Sequence, residues 1–231
     1  MRKWSIHLGR VVGIDLYVHA TFILLLAWIA FQAYSVRQSA SDAFSSVVFI
    51  LCLFGVVVLH ELGHAITARR YGIGTRDITL LPIGGLARLE RMPENPWQEL
   101  WVALAGPAVN VLLAAVFFGL IMIGGGLGSV EQMTLLDGPF LERMLWVNVA
   151  LVVFNMLPAF PMDGGRVLRA LLAIRMDRVR ATNIAASIGQ AMALLFGFVG
   201  LLVNPFLVLI ALFVWLGAAG EAAMVRTRSM V

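Results

Sequence analysis

Residues 49–64 read FILCLFGVVVLHELGH. An apolar run from Phe49 to Leu59 continues without proline into His60-Glu61-Leu62-Gly63-His64, so one helix carries both parts. Histidines at i and i+4 lie on one helix face, about one turn apart. That spacing lets two imidazoles reach one zinc ion, with Zn–N distances of about 2.0–2.1 Å. Glu61 lies beside them, placed to take a proton from water activated by such an ion. Ionisable groups on an apolar helix are costly in hydrocarbon and point to function. The bland alternatives are a polar cluster satisfied by neighbouring helices, or a proton relay.

The rest of the chain fits that setting. Of 231 residues, 61% are hydrophobic and 13% charged, with a mean hydropathy of +0.91. A soluble domain is nearer half apolar and a quarter charged. The expected fold class is an all-α membrane protein with six transmembrane helices and a small cytoplasmic-side β-sheet or hairpins. Six apolar segments stand out, at 17–36, 44–69, 98–124, 140–160, 182–203 and 205–224. Asn204-Pro205 signals a tight turn between the last two. Residues 1–16 and 75–90 do not read as spans. They mix alternating polarity with glycine, and Gly84-Gly85 suggests a turn, so both are expected to form hairpins.

The net charge is +4 and the pI about 10. With the N-terminus in the cytoplasm, 15 of the 17 basic residues fall on cytoplasmic segments, leaving Arg37 and Arg143 outside. The basic excess therefore predicts six spans with both termini cytoplasmic, rather than a nucleic-acid partner. The loop at 125–139 is too short to hold an inserted domain. Cys52 is the only cysteine, which excludes an internal disulfide and a four-cysteine zinc site. The polar N-terminus is followed by no small-residue cleavage site, so no cleavable signal peptide is expected.

A catalytic zinc takes three protein ligands and keeps one position open. No histidine follows His64, so a carboxylate must complete the set. Asp163 is the best candidate. It lies in NMLPAFPMDGGR, residues 155–166, where Pro158 and Pro161 break the fourth apolar segment. Irregular backbone at membrane depth is tolerated where it lines a protein-enclosed or wet cavity. Asp163 in an ordinary helix-end turn is the alternative. Depth offers a separate check: His64 lies five residues before Arg69 and Asp163 three before Arg166, so both sit near the cytoplasmic ends of their segments.

With these motifs assembled, the chain resembles the site-2 protease family of intramembrane zinc metalloproteases. HELGH at 60–64 resembles the family's zinc motif, NMLPAFPMDGGR its NxxPxxPxDG motif, GPAVN at 106–110 its GPxxN pattern, and PIGGLARL at 82–89 an intervening segment. The resemblance covers essentially residues 1–231, as a single six-span protease domain. It looks like the subgroup without a PDZ insertion, which often carries C-terminal CBS domains; no such domain is read within residues 1–231. It implies one zinc held by His60, His64 and Asp163, with Glu61 catalytic. It also implies that Asn155 helps stabilise the oxyanion, a role suited to a side-chain amide. It further implies a single-span or membrane-associated protein substrate, such as an anti-sigma or pro-sigma factor, in a bacterial cell membrane. Packing is the favoured reading of Gly106, Pro107 and Asn110, with contact to the substrate or to the fourth helix near the site as the alternative for Asn110. His19 resembles a histidine near the first helix of that subgroup, and a bland interfacial role is favoured for it.

Two rivals are distinguishable. A zinc protease with a glutamate third ligand would have to use Glu131 or Glu142, both expected on the opposite side of the membrane. An ion transporter would also use a broken helix, but it gives no reason for Glu61 between ligand-spaced histidines.

Overall fold

The computed structural model describes residues 4–82, 84–126 and 138–229. Most of the predicted 125–139 loop, including Glu131, lies outside the described residues. Among the described residues, four strands and seven helices follow in the order β1 (Ser5–Val11), β2 (Ile14–His19), α1 (Ala20–Arg37), α2 (Ala40–Arg70), β3 (Thr75–Leu81), β4 (Gly84–Leu89), α3 (Pro96–Ile123), α4 (Phe140–Asn155), α5 (Asp163–Ala173), α6 (Arg178–Leu202) and α7 (Phe206–Ser229). Five of the helices, α1, α2, α3, α6 and α7, are long and apolar enough to cross a membrane.

The fourth apolar segment, 140–160, breaks where its two prolines predict. Its helix stops at Asn155, after 16 residues. At 1.5 Å per residue that is about 24 Å, short of a hydrocarbon core of about 30 Å. The cause is in the sequence: Pro158 and Pro161 lack the amide hydrogens a helix needs, so residues 156–162 form turns before α5 restarts at Asp163.

The chain divides into two compact units, 1–92 with 108–151, and 93–107 with 152–231, and the boundary within α3 falls at Pro107. The first unit contains the sheet, ordered β1-β2-β3-β4. Two antiparallel hairpins are joined by parallel pairing of β2 with β3, Leu16 opposite Ile78 and Val18 opposite Leu80. The predicted Gly84-Gly85 turn is displaced: the chain turns at Pro82, and both glycines pair inside β4, Gly84 with Leu81 and Gly85 with Leu80. Every second residue of β2 and β3 faces α2. Ile14 and Ile78 cluster with Leu62 and Ala65, and Val18 and Leu80 with Phe22 and Phe54. Each large side chain buried this way contributes about 1.5–3 kcal/mol. The sheet therefore grips the very turn of α2 that carries the histidines. On the hairpin of β3 and β4, Arg88 donates to both Asp77 oxygens, at 2.7 and 2.5 Å. That hydrogen bonding raises the Arg88 guanidinium above its ordinary pKa.

The second unit is built on small residues. Ala185, Ala186 and Ala193 of α6 pack with Ala218 and Val214 of α7 and with Ala159, Phe160 and Met162. Small side chains let spanning helices approach closely. Where Gly200 sits, a Cβ would lie 2.8 Å from the Val208 amide nitrogen. The Asn204 side chain accepts from the Phe206 amide at 3.0 Å and so starts α7. Arg169 of α5 is 1% exposed. It donates through Nε and Nη2 to Glu99 of α3, and through Nη1 to Glu221 of α7 at 2.8 Å. Charges this buried persist only when paired, and here the pairing ties three helices together.

Candidate metal centre

Local sequence explains each part of the centre. In α2 the i, i+4 spacing turns His60 and His64 to one face, and both are buried, at 6% and 5% exposure. Their rings meet edge to face, with the two Nε2 atoms 3.1 Å apart. Asp163 is the first residue of α5 and is 7% exposed. A carboxylate in the first turn is favoured by the helix dipole. The two glycines that follow it are required by space: a Cβ on Gly165 would lie 2.7 Å from the backbone of Ala159 and Phe160, and one on Gly164 would overlap the Met156 and Leu157 carbonyls. The broken segment therefore folds directly onto the start of α5.

Ligand atoms of His60, His64 and Asp163 all lie within 4.8 Å of one another, the one such trio of His, Cys, Asp or Glu side chains among the described residues. The donor set fits zinc. Two nitrogens each about 2.05 Å from a tetrahedral ion stand about 3.3 Å apart, close to the 3.1 Å seen between the imidazoles. Two imidazoles and a carboxylate are also a known catalytic zinc set.

The other predicted residues are placed as follows. Glu61 is half-buried and packs on the sheet: a Cβ at Gly85 would stand 2.8 Å from its Cγ and 3.3 Å from its Oε1. Asn155 is the last residue of α4 and half-buried. Glu142 is buried in α4, outside the metal trio. His19 caps α1: its Nδ1 accepts from the Thr21 amide at 3.3 Å and lies 2.7 Å from the Thr21 hydroxyl. Asn110 lies beside His60, its Oδ1 2.5 Å from His60 Nδ1, and it bonds Asn148 of α4, the fourth-helix contact left open beside packing. Two contributors escaped the sequence reading. Asn148 lies in an apolar run, and that isolated polar residue was the available signal. Gly85 was legible as a turn glycine within PIGGLARL, but not as a neighbour of Glu61.

The model of peptidase family M50 matches residues 48–137 and 119–196. This chain belongs to peptidase family M50. A solved structure of a site-2 protease from Methanocaldococcus jannaschii is similar, with a TM-score of 0.68, 36% identity and 95% of each chain covered. A zinc metalloprotease from the same organism is 39% identical over 99% of this chain and 63% of its own length. Stage IV sporulation protein FB of Bacillus subtilis is 28% identical over 68% of this chain and 51% of its own length. The chain thus spans between half and two thirds of the length of these curated relatives. The zinc-suited trio and the broken fourth segment therefore belong to a family whose members are named as zinc metalloproteases.

Proposed function

We propose that this chain is an intramembrane zinc metalloendopeptidase, hydrolysing a peptide bond in or near the transmembrane segment of a membrane-tethered regulatory protein. The observation that carries the reading is the buried His60, His64 and Asp163 trio with Glu61 adjacent to it in sequence. His60, His64 and Asp163 hold the metal. Zinc in such a site acts as a Lewis acid that makes water nucleophilic at neutral pH and polarises the scissile carbonyl. Glu61 takes the proton of the attacking water and returns it to the leaving amine. Asn155 donates its side-chain amide to the developing oxyanion.

A helical substrate must unwind locally, because its hydrogen bonds shield the scissile peptide. β4 is an edge strand whose Gly85 backbone lies against Glu61. An unwound substrate segment adds to that edge as a further strand. The chain forms one protease domain crossing the membrane six times, with α4 and the turns of 156–162 together making the fourth crossing. The distribution of basic residues supports an orientation with both termini and the metal end of α2 toward the cytoplasm. The substrate class is a single-span protein such as an anti-sigma or pro-sigma factor.

Co-expression with single-span candidates, comparing wild type with Glu61→Gln, tests the reading. Cleavage by the wild type alone supports it. Equal cleavage by both proteins removes Glu61 from catalysis.

A further inference from the structure

A chain of side-chain amides leads from His60 to a backbone carbonyl on α4. The His60 Nδ1 atom is 2.5 Å from Asn110 Oδ1, Asn110 Nδ2 donates to Asn148 Oδ1 at 3.0 Å, and Asn148 Nδ2 donates to the Met144 carbonyl at 2.8 Å. Asn110 and Asn148 are both fully buried. The direction of this chain is forced from its far end. A carbonyl oxygen only accepts, so the Asn148 amide must turn its NH2 toward Met144 and its oxygen toward Asn110. Asn110 must then present its NH2 to Asn148, which leaves its oxygen toward His60. An amide oxygen also only accepts, so Nδ1 of His60 carries the proton. Nε2, the nitrogen that faces His64, is left with its lone pair for a ligand bond.

We infer that Asn110, anchored by Asn148, is a positioning residue that fixes the tautomer and ring orientation of His60 for metal binding. Histidines that bind a metal are commonly held through their other nitrogen in this way, and loss of that partner typically costs 10- to 100-fold in metal affinity. The inference explains two polar residues inside apolar segments, where an amide without a partner costs free energy. It rests on His60 being a zinc ligand, as proposed above.

The test is zinc affinity, measured on the full chain in detergent micelles by competition with a chromophoric chelator. The visible spectrum of the Co2+-substituted protein gives a second readout of ligand geometry. Asn110→Leu removes the acceptor at similar volume, and zinc binding is expected to weaken 10- to 100-fold with an altered Co2+ spectrum. Asn110→Asp keeps an acceptor on His60 while losing the bond to Asn148, so it is expected to bind zinc within about threefold of wild type. Asn148→Leu frees Asn110 to rotate and is expected to weaken zinc three- to tenfold. A purely structural role would lower the melting temperature of all three and leave zinc affinity alone. Wild-type affinity in Asn110→Leu, or equal weakening in Asn110→Asp and Asn110→Leu, overturns the inference. Where Asn110→Leu does not fold, wild-type affinity in Asn148→Leu overturns it. A wild-type chain that holds no stoichiometric zinc would instead overturn the proposed function.

Discussion

Replacing Gly85 by alanine should separate catalysis from folding and metal binding. The added Cβ would lie 2.8 Å from Glu61 Cγ and 3.0 Å from Val57 Cγ1. The first distance is about 0.6 Å inside the 3.4 Å at which ordinary contact begins. Gly85 sits in a paired strand outside the left-handed region, so alanine meets no backbone strain. Both residues lie in α2, but the β-branched Val57 is stiff at χ1 while the longer Glu61 side chain can swing, so the overlap is relieved chiefly by moving Glu61. A general base must stand within about 2.6–3.2 Å of the proton it takes, and a misplacement of about 1 Å can cost 100-fold. A shift of about 0.6 Å therefore predicts a 10- to 100-fold loss of kcat. Zinc stoichiometry and melting temperature should stay near wild type, because His60 and His64 lie on a different face of α2 from Glu61. Purified Gly85→Ala would be assayed for cleavage of a single-span substrate in micelles, with zinc measured in the same sample. Gly55→Ala is the control, since a Cβ on that α2 glycine meets nothing within 4 Å. Activity of Gly85→Ala within twofold of wild type would refute the argument that this glycine sets the position of Glu61.

Three further outcomes follow from the geometry. Asp163→Ala should abolish stoichiometric zinc, and full zinc occupancy by elemental analysis would remove Asp163 from the ligand set. Gly165→Ala forces a Cβ against rigid backbone at 2.7 Å, and overpacking of this kind costs about 1–3 kcal/mol. The expected result is a lower melting temperature, and an unchanged one would count against the tight junction at the start of α5. Arg169→Met strands the Glu221 carboxylate while Glu99 keeps Arg178 at 3.4 Å. Breaking a buried pair costs about 3–5 kcal/mol, so thermal unfolding should shift strongly and adding Glu221→Gln should recover part of the loss. No recovery would mean that Arg169 acts through packing.

The sequence by itself determined the features that depend on near neighbours. The spacing of His60 and His64 sets them on one face because helix geometry is local. Pro158 and Pro161 end α4 because each removes a backbone donor at its own position. The two hairpins are local in the same sense, apart from the exact turn, where Pro82 takes the corner expected at Gly84-Gly85. Tertiary structure alone decided the partners separated by dozens of residues. The parallel pairing of β2 with β3, the contact of Asn110 with His60 and the bonds of Arg169 to Glu99 and Glu221 join segments far apart along the chain. An isolated asparagine or arginine in an apolar run announces that it needs a partner, because burial without one is costly. Which group answers that need is set by packing, since helices buried on many sides offer several candidates and only the folded arrangement brings one within hydrogen-bond reach.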